Sequence, residues 1–181
     1  MKHLFNLVLV LILTAFSAMA YHTNTDLANS SDERLIVQSV DDERTNLPTI
    51  KAVEAAAADD QHEHYEAAQK MLSIIESKRD DSDEMINTYM RGTHPVPLNP
   101  VPAYITDISV DLTKHKIIKR RMGADMDKNY RLLESDAISK LEKIQQGKIK
   151  VSDSPDVGAG HIKTNKKKSD KIWTDDLLGR Y

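Results

Sequence analysis

The chain has 181 residues, a formal net charge of −3 and no cysteine. No disulfide can stabilise it, and its mild acidity gives no general attraction to nucleic acid. Its only two phenylalanines, Phe5 and Phe16, fall in the first twenty residues, so a core must be built from Leu, Ile, Met, Val and Tyr.

Residues 1–20 read as a cleavable signal peptide. Lys2 supplies the positive charge, and Leu4 to Leu13 is apolar except for Asn6. Ala18 and Ala20 place small side chains at the two positions a signal peptidase must accommodate, which predicts cleavage before Tyr21. The apolar run is shorter than the roughly 20 residues needed to cross a bilayer. Residues 21–48 are rich in Ser, Thr, Asn and Asp without a sustained apolar period, which predicts a disordered leader. Asn29-Ser30-Ser31 within it fits the N-glycosylation pattern.

Residues 49–151 read as a helical domain. Pro48 precedes a helix predicted from Thr49 to Arg79, with Ala55 to Ala58 as strong helix formers and Tyr65, Ala68, Leu72 and Ile75 as its apolar stripe. A short second helix is predicted over Asp83 to Arg91, with Met85, Ile86, Tyr89 and Met90 as its apolar members. Pro95, Pro97, Pro100 and Pro102 make residues 92–102 an extended connector. Ala103 to Val110 fits a short strand or the start of a helix and leans to helix. The clearest periodicity is Met126, Tyr130, Leu133, Ala137, Leu141 and Ile144, which predicts a helix over Asp125 to Gln146 ended by Gly147. Residues 152–181 form a polar, basic tail. It carries Trp173 in a short amphipathic patch that either folds back or docks on a partner. The expected fold is mainly α: a small helical domain between a disordered leader and a loose tail.

Chemical motifs are sparse. His62-Glu63-His64 sets two histidines two apart, whereas chelation on a helix needs a spacing of four. Asp125, Asp127 and Asn129 resemble the opening of a calcium loop with Asp136 at its twelfth place, but Tyr130 stands where that loop needs glycine. No Gly-x-Ser-x-Gly elbow, phosphate-binding glycine loop or His-Glu-x-x-His occurs. No catalytic residue, metal or cofactor is therefore assigned, and the expectation is a protein that is not an enzyme. A hydrolase built on paired carboxylates would need a concave pocket with shifted titrations. Two basic clusters remain: Lys114, Lys116, Lys119, Arg120 and Arg121, then Lys163, Lys166, Lys167, Lys168 and Lys171. Lys166-Lys167-Lys168 fits a nuclear-import signal.

Asp41-Asp42-Glu43-Arg44 resembles the Asp-Glu-Glu-Arg motif of the RxLR effectors secreted by oomycete plant pathogens. Arg34-Leu35-Ile36-Val37 resembles a degraded form of their Arg-x-Leu-Arg motif. The resemblance implies that the leader serves processing and delivery. It further implies that the region after Arg44 acts in the host cytoplasm or nucleus, suppressing plant defence or cell death by binding a host protein. Neither a specific nucleic acid nor stable membrane insertion is expected. The alternative is a secreted extracellular helical binding or carrier protein that enters no host cell.

Overall fold

A computed structural model describes residues 20–30 and 32–151. The chain is mainly helical, as expected, with six α-helices among the described residues: α1 (Asn24–Ala28), α2 (Glu33–Val40), α3 (Ile50–Ala58), α4 (Tyr65–Met90), α5 (Ala103–Met122) and α6 (Lys128–Gln145). A single 3-10 turn, Gly123–Asp125, joins α5 to α6.

The segment expected to be a disordered leader contains α1 and α2. At the start of α1, the Thr23 hydroxyl accepts the Asp26 amide while the Asp26 carboxylate accepts the Thr23 amide, a reciprocal cap. Each helix is too short to show a sustained apolar period or to hold on its own. Tertiary burial supplies what the local pattern lacks: Leu27, Ile36, Val37 and Val40 are all buried.

The predicted helix from Thr49 is divided. Thr49 caps α3 by accepting the Ala52 amide. The helix then stops because Asp59 accepts the amide of Gln61, and the His62 ring nitrogen Nδ1 accepts that of His64. Short polar side chains here bond the backbone in place of the helical ladder. The break expected between Arg79 and Asp83 does not occur. The polar run at 80–83 continues α4 because its inward members find partners, with the Ser82 hydroxyl donating to the Lys78 carbonyl at 2.7 Å.

Ala103 to Val110 is helix, the first half of α5. Asp127 caps α6 by accepting the Asn129 amide at 2.8 Å. Gly147, at φ +69°, ends it, with its amide on the Ile144 carbonyl and that of Lys148 on the Lys143 carbonyl.

The antiparallel pair α4 and α5 forms the centre. Where they meet at one end, Met71, Ile75 and Ile117 pack with Leu27, Ile36, Val40 and Val53 from α1, α2 and α3. At the other end Ile86, Met90, Ile105, Ile108 and Leu112 pack with Leu141 and Ile144 of α6 and with Leu98 of the connector. The proline-rich connector is not the extended segment expected: it is a run of turns and bends, with cis bonds before Pro97 and Pro100. Between the two apolar clusters lies a buried polar layer: His22, Ser82, Asp83, Ser109 and Thr113.

Candidate functional site

This layer is the largest concentration of buried chemistry in the described chain, and Tyr21 opens it. Burial of 98% would strand any unpaired polar atom of that residue, yet all are bonded. Its amide donates to Asp83 Oδ2 at 3.0 Å, and its carbonyl accepts the Thr106 hydroxyl at 3.0 Å. Its phenol donates to Asn87 Oδ1 and accepts the Leu98 amide at 3.1 Å. One residue thereby ties α4, α5 and the connector together.

Asp83 Oδ1 accepts the Ser109 hydroxyl at 2.6 Å, and the Ser109 oxygen lies 2.8 Å from His22 Nδ1. Thr113 donates to Ser82 just beyond, at 3.1 Å. Burial raises the Asp83 carboxyl above the ordinary range, against the lowering effect of its bonds to Ser109 and Tyr21. Burial, helped by the nearby Arg79 charge, lowers the His22 imidazole to about 4. His22 is therefore neutral at pH 7, and its Nε2 is buried without a partner.

Serine, histidine and aspartate together invite comparison with a nucleophile triad, but the order is reversed. The serine proton goes to Asp83, so Nδ1 of His22 donates to Ser109 and no base accepts from the serine. All three side chains are also closed to solvent. The arrangement locks two helices and an N-terminal segment; it does not activate the hydroxyl.

The residues singled out as a delivery motif lie elsewhere and have folding partners. Asp41 is buried and accepts the amides of Thr45 and Asn46, each at 3.0 Å, turning the chain from α2 toward α3. Asp42 pairs with Arg120 and Arg121 of α5, and Glu43 pairs with Lys70 of α4 at 2.6 Å. Arg44 is exposed, at φ +58°. On α2, Arg34 is exposed, Leu35 half-buried, and Ile36 and Val37 are core. The first basic cluster is also engaged: Lys114 is buried against Asp32 at 2.8 Å, and Arg120 bonds the Ser39 carbonyl at 3.2 Å. His115 sits between the Tyr130 carbonyl and Glu134.

Asn29 is exposed at the end of α1. His62 and His64 have ring centroids 5.6 Å apart and line an open hollow with Arg44 and Glu63. Among the described residues, no group of three or more His, Asp or Glu is placed to hold a metal ion. Residues 1–19, Ser31, and the tail with Lys163, Lys166, Lys167, Lys168, Lys171 and Trp173 lie outside the described residues. Sequence reasoning passed over Tyr21, His22, Asp83 and Ser109. The available signal was Ser82, which interrupts the apolar spacing from Ile75 to Ile86 with a polar residue, as Ser109 does between Ile108 and Leu112.

Residues 21–163 match a family model described as Bacteriophage Mu, Gp36. No curated protein and no solved structure matches. The family match spans the whole described domain, whereas the likeness to oomycete RxLR effectors rested on eight positions, and five of these are core or hold the fold by bonds and ion pairs. It overturns that identification, and with it the expectations of secretion into a plant host cell, a place in the host nucleus and suppression of plant immunity. The alternative of a secreted carrier gains no support from it. The chain belongs to the bacteriophage Mu Gp36 family.

Proposed function

We propose that this is a non-catalytic, phage-type protein that works by shape, as a rigid helical component associating with other proteins of a phage assembly. The observation that carries the non-catalytic part is the direction of the buried chain from His22 through Ser109 to Asp83, which consumes this Ser-His-Asp grouping of the described residues in holding helices together. The family match supports the phage setting. Proteins are the partners this reading expects. A specific nucleic acid is not expected from a chain of net charge −3, and among the described residues no helix is long and apolar enough to cross a membrane.

The test is quantitative mass spectrometry of gradient-purified phage particles from cells that make the protein. The chain should co-sediment with the particles or their assembly intermediates at a fixed ratio to the coat protein. Complete absence from both would refute the assembly role. Ester or peptide hydrolysis by the purified protein, lost on Ser109→Ala, would refute the non-catalytic reading.

A further inference from the structure

The Tyr21 amide is aimed at a carboxylate that has no business being buried beside a neutral donor. Asp83 is 91% buried, and what it receives is one amide and one hydroxyl. Removing a carboxylate from water is costly unless a charge answers it. The sequence places a peptidase site at the bond that would turn this amide into a cation, since Ala18 and Ala20 are the small residues such an enzyme accepts. The family match also begins at residue 21.

We propose that Tyr21 is the functional N-terminus: hydrolysis of the Ala20–Tyr21 bond creates an α-ammonium group that forms an ion pair with Asp83 and locks α4 to α5. Water adds across the amide. The C–N bond breaks, Ala20 leaves with residues 1–20 as a carboxylate, and the Tyr21 nitrogen takes up protons to become the ammonium. The cell's own processing peptidase, of the class that accepts small side chains before the cut, supplies the catalysis. The bond is cut before the chain folds, because Tyr21 is closed off afterwards.

The geometry suits the product better than the precursor. Tyr21 is buried while Ala20 is exposed, so the nitrogen sits at the boundary of the core. One N–H stays on Asp83 Oδ2, and departure of the exposed Ala20 opens the nitrogen to water on that side. Other charges in reach are Arg79, which lowers the Asp83 carboxyl, Asp80, which raises it, Lys116, whose ammonium feels Asp83, and Glu84, which acts on Tyr21. His22 is neutral at pH 7 and adds no competing charge. An added cation reverses the effect of burial on Asp83, and Asp83 in turn holds the amine in its charged form.

The full-length gene is expressed and the purified protein examined by intact mass and N-terminal sequencing. The expected product begins at Tyr21. Acylation of the α-amine is then followed against pH. An ordinary α-amino group titrates at about 7.7–8.0; the paired one should react at least about fourfold more slowly at pH 8, the effect of a rise of one unit or more. Asp83→Asn should restore the ordinary rate. If that variant does not fold, titration of the unaltered protein decides alone. A product that retains residues 1–20 or begins elsewhere overturns the proposal, and so does an amine that titrates at the ordinary value.

Discussion

Acid should weaken this fold through His22. The imidazole is 98% buried, with Nδ1 on Ser109 and Nε2 facing no acceptor, so protonation adds a charge that nothing in the layer can bond. Its folded-state value of about 4 lies below the ordinary 6.5. Stability from a base so depressed is complete above the unfolded value and is lost as pH falls toward the folded one. A shift of that size is worth about 3 kcal/mol in full, and linkage places roughly 2.5 kcal/mol of it between pH 7 and pH 4.5. Asp83 and Asp111, both raised by burial, act in the opposite sense over part of this window, because the folded state takes up their protons first. The assay must therefore be a difference. Urea unfolding followed by circular dichroism at the two pH values is run on the parent and on His22→Asn, whose amide nitrogen can replace Nδ1 as donor to Ser109. The parent should lose about 2 to 3 kcal/mol more than the variant on acidification. Equal losses would show that His22 does not titrate in a closed site.

The ion pairs separate into costly and cheap ones. Asp32→Asn leaves the Lys114 ammonium buried and should cost on the order of 3 kcal/mol, whereas Lys114→Met should be close to neutral; both are read from urea midpoints. Arg120→Ala breaks a solvent-screened contact with Asp42 and the bond to the Ser39 carbonyl and should cost about 1 to 2 kcal/mol, with only the ion-pair share weakening at high salt. Ile75→Ala and Leu112→Ala, one in each apolar cluster, should each cost about 2 to 5 kcal/mol in chemical unfolding. Because α4 and α5 run through both clusters, each variant should still unfold in one transition, and two separated transitions would show independent halves. Gly147→Ala forces a methyl-bearing residue into φ +69° and should lower stability by roughly 1 to 2 kcal/mol, measured the same way.

How legible the chain was depended on helix length and on the reach of each partner. The stripe in α6 was readable because Ala137, Leu141 and Ile144 repeat on one face over several turns, and all three are buried. α1 and α2 were not, since five and eight residues give too few turns for a period to stand out. The layer around Asp83 was least legible of all. Tyr21 meets Asp83 across 62 positions, and His22 meets Ser109 across 87, so no local pattern announces either pair.

The acidic run at 41–43 shows why a short charged motif is weak evidence for a role outside the fold. Each carboxylate has its own intramolecular partner: Asp41 holds the turn after α2, Asp42 reaches α5, and Glu43 reaches α4. The turn demands acceptors aimed at its free amides, and the helices behind it present arginine and lysine. Those two local demands are enough to place acidic side chains here, whatever the protein does. Arg44 alone makes no such contribution, and its backbone sits at φ +58°, where a β-carbon is disfavoured. Arg44→Gly should therefore leave urea stability unchanged or raise it by up to about 1 kcal/mol, because relief of the left-handed strain offsets the entropy glycine adds to the unfolded chain. A loss above about 1 kcal/mol would mean that the arginine side chain holds the fold after all, and that the intramolecular account of this motif misses one of its members.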